Sequence, residues 1–144
     1  MITLFLPLAL QAAAATSASA EAGALQPIGR QALPAKGCAA YLWNVADREL
    51  VAMATAEAGT LRLAPGGKPI DLSRGEGSGD AALGFTATTV YRGGDISATL
   101  DMQIVRDQAL TAGAKVPTGT LRIDRPGRDS LVVPVAGMIG CSAR

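Results

Sequence analysis

Histidine is absent from this chain of 144 residues. That removes Ser-His-Asp and Cys-His catalytic arrangements, the usual general base near neutral pH, and His-based zinc or copper sites. Aromatic residues make up only 3% of the chain, which leaves few stacking platforms for single-stranded nucleic acid or for sugars. Excess charge is lacking as well. The formal net charge is +1, with Lys and Arg scattered singly, so there is no electrostatic footprint for nucleic acid or an anionic membrane. Beyond the amino-terminal segment no apolar run is long enough to be a transmembrane segment.

Cofactor motifs are missing too. The Gly-rich stretch Ser73-Arg74-Gly75-Glu76-Gly77-Ser78-Gly79-Asp80 lacks the spacing and the Lys-Ser/Thr ending of a phosphate loop, and no helix pattern follows it. Glu76 and Asp80 do not stand at EF-hand spacing. The stretch is expected to be a flexible connection between two halves of the protein. Twelve acidic residues remain, but a carboxylate-pair glycosidase works in a long aromatic-lined cleft that one Trp does not supply. The expectation is a protein that is not an enzyme and carries no metal or cofactor.

What is present begins with Met1–Ala15, MITLFLPLALQAAAA, an uncharged apolar run too short and Ala-rich for a membrane span and interrupted by Pro7. Small residues follow, with Ala18 and Ala20 where a signal peptidase requires them. The reading is a signal peptide over residues 1–20, cleaved after Ala20, although no Lys or Arg precedes the apolar run. Residues 21–144 then form a single all-β domain in the periplasm or outside the cell. The two cysteines, Cys38 and Cys141, lie near its two ends. In an oxidising compartment they pair, and a loop of that length would stabilise the fold by roughly 4–5 kcal/mol in the chain-entropy model.

The remaining pattern has period two. Leu83, Phe85, Ala87, Thr89 and Tyr91 share one face of a strand, as do Ile96, Ala98, Leu100, Met102 and Ile104. Arg92-Gly93-Gly94-Asp95 joins them, so residues 83–104 read as a hairpin. Other strands are expected at Leu25–Leu33, Ala39–Val45, Leu50–Ala54, Thr60–Leu63, Ile70–Leu72, Thr120–Ile123 and Leu131–Val135. Val45–Glu57 could instead be a short helix capped by Asp47, but strand is preferred. Turn signals about every ten residues point to an antiparallel β-sandwich or a small closed barrel.

A similarity at an offset of sixty suggests two similar β-units, 45–72 and 105–135. Val45–Ala52 matches Val105–Ala112 at Val, Asp, Leu and Ala. Gly59-Thr60-Leu61-Arg62-Leu63 matches Gly119-Thr120-Leu121-Arg122-Ile123, and Pro65-Gly66 and Pro126-Gly127 then supply similar turns.

Four side chains are candidate binding residues. Tyr41 and Trp43 share one face of a strand. They form either an exposed platform or, as a lone Trp near a disulfide more often does, part of the core. Arg62 and Arg122 are equivalent in the two units and could make a paired anion contact. The expected function is an exported, non-enzymatic β-domain that binds a protein partner or cell-envelope component through loops or an edge strand. The alternative is a carrier for a small apolar ligand, with a barrel cavity lined by Phe85, Leu100, Met102 and Ile104.

Overall fold

A computed structural model describes residues 25–110 and 112–142; the signal segment 1–20 lies outside the described residues. Nine strands form one antiparallel sheet: β1 (Leu25–Gln26), β2 (Cys38–Asn44), β3 (Leu50–Thr55), β4 (Thr60–Pro65), β5 (Ile70–Ala82), β6 (Phe85–Gly93), β7 (Ile96–Val105), β8 (Gly113–Asp124) and β9 (Leu131–Cys141). From β2 to β9 each strand pairs with the next in sequence, and β9 pairs back with β2. Of the two all-β architectures expected, this is the closed one: an eight-stranded up-and-down barrel, with β1 added beside β4. No helix occurs among the described residues, and Leu50–Thr55 is a strand.

Alternation places the apolar residues inside. Leu42, Leu61, Leu63, Leu72, Leu100, Leu121 and Ile123 point inward and are essentially inaccessible. Ala40, Ala52, Ala54, Ala98 and Ala114 stand among them in the same core. Mixing small and large side chains lets the interior of an eight-stranded barrel fill without leaving a channel. Phe85, Leu100 and Met102 belong to this core, and Ile104 packs against it. The outward positions of β7 and β8 carry Ser97, Thr99, Asp101, Gln103, Lys115, Thr120 and Arg122. Val105 is the exposed apolar exception on β7.

Two expectations are corrected. The first is the strand at Leu25–Leu33, of which only Leu25–Gln26 joins the ladder. Pro27 has no N–H to continue it, and Gly29 turns the chain at a φ of 76°. Residues 27–34 instead cross the outer face of β2–β4 as a strap. The Ile28 N–H bonds the Leu50 carbonyl, and the Tyr41 hydroxyl donates to the Ala32 carbonyl. Beneath the strap, Ile28, Ala39, Met53 and Ala64 make a second small core outside the barrel.

The second correction is the Gly-rich stretch, which is not a flexible connection but the middle of β5. This strand runs for 13 residues against β6, with irregularities between Arg74 and Gly77 and between Ser78 and Ala81. Its glycines allow close approach rather than freedom. A Cβ on Gly77 would stand 2.5 Å from the Thr86 Oγ1, and one on Gly79 would stand 2.8 Å from the Ala87 Cβ. Glu76 pairs with Arg92 at 2.8 Å.

The two similar segments occupy unlike positions in part. β4 and β8, which carry the matched Gly-Thr-Leu-Arg cores, stand on opposite walls with three strands between them in either direction. Val45–Glu49 is the β2–β3 turn, whereas the connection after Val105 joins β7 to β8 at the other end of the barrel. In the β2–β3 turn, Arg48 adopts φ = 62°, a conformation that disfavours a side chain by about 1–2 kcal/mol. Arg48→Gly is expected to raise stability by up to about 1 kcal/mol once the extra freedom of Gly in the unfolded chain is counted. A rise in the urea midpoint at unchanged slope would register it.

Candidate functional sites

The disulfide lies on the line where the barrel closes. Cys38 and Cys141 are directly opposed residues of β2 and β9, and their side chains are joined. The ladder runs from there to Asn44 opposite Val135, so the bond staples the first and last strands of the barrel.

Tyr41 and Trp43 point outward from β2, since Leu42 between them faces the core. Both are half-buried. Trp43 is therefore not a core residue, although the strap covers part of the same face. The two rings line a groove of about 510 Å³ between the strap and the β2–β3 hairpin, with Pro27, Arg30, Arg48 and Glu49 among its other walls. Across the seam, Tyr41 opposes Met138 and Trp43 opposes Ala136. Four of the five exposed large apolar residues among those described border this face. They are Leu33 (57% exposed), Val45 (56%), Val132 (56%) and Met138 (43%). Pro134 continues the row, and its carbonyl accepts from the Val45 N–H.

Arg62 and Arg122 both face outward, on the opposite walls already noted. Each is engaged with neighbours on its own wall. Arg62 Nε donates to Asp71 at 2.9 Å and Nη1 to Gln31 at 2.7 Å, tying the strap to β4 and β5. Arg122 bonds Asp124 and Ser130. The Ser130 hydroxyl, with the Arg122 guanidinium beside it, holds the Asp124 carboxyl below its ordinary range. At that placement a single small anion cannot bridge the two arginines.

Sequence reasoning passed over one constellation. At the end of the barrel where β3 turns into β4 and β5 into β6, a cavity of about 320 Å³ is lined by Arg74, Gly75, Gly77, Gly84, Phe85, Thr86, Thr89 and Tyr91. Arg74 and Tyr91 are register partners on β5 and β6, so both project to the inner side. The Arg74 Nη1 donates to the Ala56 carbonyl at 2.9 Å, drawing the guanidinium across the mouth. Thr86 and Thr89 hydroxyls meet at 2.9 Å. Tyr91 is completely buried, and its hydroxyl makes no hydrogen bond. Thr89 is a polar neighbour, but its short contact goes to Thr86. A signal for this cluster existed, because Thr89 and Tyr91 fall on the apolar parity of β6 yet carry hydroxyls.

Burial pushes the Tyr91 phenol above its ordinary value of 10.0, while the Arg74 charge and Thr89 pull it partly back. The neutral phenol therefore contributes stability below pH about 10, which is lost as the pH rises through the folded-state pKa and the unfolded chain ionises first. An orphaned buried hydroxyl is also costly at neutral pH. Tyr91→Phe is expected to stabilise the protein by about 1 kcal/mol at pH 7 and to flatten the alkaline decline. Urea titrations at pH 7 and pH 11 check both effects.

No group of three or more potential metal ligands occurs among the described residues, and no helix among them is long and apolar enough to cross a membrane. No family model matches the chain, and no curated protein or solved structure matches it.

Proposed function

We propose that this chain is an exported, non-enzymatic binding module that takes a protein or cell-envelope partner on the outer face of the β2–β9 seam. One observation carries the reading: four of the five exposed large apolar side chains among the described residues gather there, beside the Tyr41–Trp43 groove, while the outer faces of β7 and β8 are polar apart from Val105 and Pro117. A contiguous apolar patch with an aromatic anchor and charged residues at its rim is the anatomy of a contact surface. Arg30, Arg48 and Glu49 supply that rim. Carriage of an apolar ligand in the core is disfavoured, because the chain's own leucines and isoleucines fill that space. The disulfide on the seam suits an oxidising compartment and keeps the docking face rigid.

The test uses immobilised full-length protein in parallel with Trp43→Ala and Met138→Asp, each exposed to envelope extract. A partner retained by the wild type and lost from both variants is expected. That partner, once purified, should change the emission of Trp43, the single tryptophan of the chain. A partner held equally by all three proteins, or leaving Trp43 emission unchanged, overturns the site. Export is checked separately by intact mass of protein recovered from the envelope. Cleavage after Ala20 and the loss of two hydrogens are expected, whereas an uncleaved, reduced chain in the cytoplasm overturns it.

A further inference from the structure

The cavity at the β5–β6 end of the barrel is distinct from the seam face. Arg74 is the one charged residue lining it. The only side-chain hydrogen bond that Arg74 makes goes to the Ala56 carbonyl, so its charge has no carboxylate partner among the described residues. Three hydroxyl-bearing residues, Thr86, Thr89 and Tyr91, line the cavity with Phe85. The Thr86 hydroxyl donates to the Thr88 carbonyl and meets that of Thr89, and the Tyr91 hydroxyl is sealed beneath the surface without a partner. The net charge of the lining is positive.

The backbone around this space is irregular and closely approached by its neighbours. β5 bulges twice as it passes β6, and glycines occupy positions 75, 77 and 84 on the lining. The β5–β6 turn places Leu83 at φ = 54° and Gly84 at φ = 85°. A left-handed leucine is an unfavourable choice for a two-residue turn. Here its side chain packs against the core, and the hairpin tip leans on the β3–β4 turn. A Cβ on Gly84 would stand 2.8 Å from the Ala56 Cβ. An unfavourable conformation and an unsatisfied buried hydroxyl in one short stretch are costs that folding alone does not explain.

We propose that this cavity binds a small carboxylate-bearing molecule, with the Arg74 guanidinium on its oxygens, Phe85 toward its apolar part, and the Tyr91 hydroxyl, sealed in the free protein, uncovered to reach those oxygens as the ligand enters. Guanidinium and carboxylate match in geometry and charge, and a charge-assisted hydrogen bond in a partly closed site is stronger than one in water. The cavity volume suits a small organic acid rather than a chain or a macromolecule. The Tyr91 hydroxyl, orphaned in the free protein, gains its acceptor when the ligand enters.

The probe is benzoate, titrated into the full-length protein and followed by amide chemical shifts. The isosteric neutral benzamide and inorganic phosphate serve as parallel arms. Saturable shifts at Gly75, Gly77 and Gly84 are expected with benzoate, with Kd on the order of 1 mM or tighter. Benzamide and phosphate should each bind about tenfold more weakly or not at all. Arg74→Gln and Tyr91→Phe should each weaken benzoate by about tenfold. Tyr91→Phe keeps the test clear of folding failure, because that variant is expected to be the more stable protein. No saturable shift at these glycines with benzoate overturns the proposal. So does equal binding of benzamide, equal binding of phosphate, or unchanged benzoate affinity in Tyr91→Phe. The seam face is unaffected by any of these outcomes and stands or falls on its own test.

Discussion

Gly137→Ala is expected to destabilise the protein by about 3–5 kcal/mol, the upper end of what single substitutions do. Gly137 lies on β9 opposite Leu42 of β2 and Val116 of β8. A Cβ there would overlap the Tyr41 carbonyl oxygen outright, with the Tyr41 carbonyl carbon at 2.9 Å and the Leu42 Cα at 3.2 Å. All three contacts are backbone, so no side chain can swing aside. The two strands must separate, and they are the pair that closes the barrel. Gly140→Ala is the control on the same strand. Its Cβ would meet only the Leu33 Cδ2 at 3.3 Å, the flexible end of an exposed side chain, and less than about 1 kcal/mol is expected. Thermal melts decide between them. A shift of ten degrees or more is expected for Gly137→Ala and a few degrees at most for Gly140→Ala. Equal melting temperatures would mean that the seam yields where the packing says it cannot.

Glycine is also where reading from the sequence went astray. The hairpin of β6 and β7 was legible because Phe85–Tyr91 and Ile96–Ile104 alternate cleanly and Gly94-Asp95 reverses the chain between Gly93 and Ile96. Leu61, Leu63, Leu121 and Ile123 were legible for the same reason. By contrast, β5, β8 and β9 each run further than their apolar pattern. β5 continues through Gly75, Gly77 and Gly79, β8 begins at Gly113 and bulges around Pro117, and β9 continues through Gly137, Met138, Ile139 and Gly140 to Cys141. Gly and Pro punctuate turns in isolation, but in a tightly coiled barrel they also mark bulges and strand crossings. Only the neighbour across the sheet tells the two apart. That neighbour is Thr86 for Gly77 and Tyr41 for Gly137, and neither is near in sequence. The same non-locality hid the cavity. Arg74 reads as a residue of a linker until its pairing with Tyr91 turns it toward the barrel mouth. Tyr41 and Trp43 were legible as a pair on one face. Which face became clear only when residues 27–34 were found outside the barrel.

Removing the disulfide, as Cys38→Ala with Cys141→Ala, is expected to cost about 2–5 kcal/mol. The cysteines are separated by 103 residues, and the ladder they staple differs from the others around the barrel. Every other pairing from β2 to β9 joins consecutive strands, so it closes a short loop. The β2–β9 ladder alone must bring the two ends of the barrel together, at an entropic cost that grows with loop length. The cross-link lowers that cost by confining the unfolded chain in advance. Wild-type protein in reductant should therefore melt with the double alanine variant, and reductant should leave the variant unchanged. Oxidised protein should also refold from urea faster than reduced protein, because seam formation is the most non-local step. The two seam substitutions are not independent. Gly137→Ala loosens the ladder that the disulfide holds at one end, so the triple variant combines losses comparable with the ~5–15 kcal/mol that stabilises a typical domain. It is expected to be unfolded at 25 °C by circular dichroism, whereas Gly137→Ala with the disulfide intact should keep its β spectrum. A triple variant that remains folded, with a melting temperature close to that of Gly137→Ala alone, would show that the barrel does not depend on its seam.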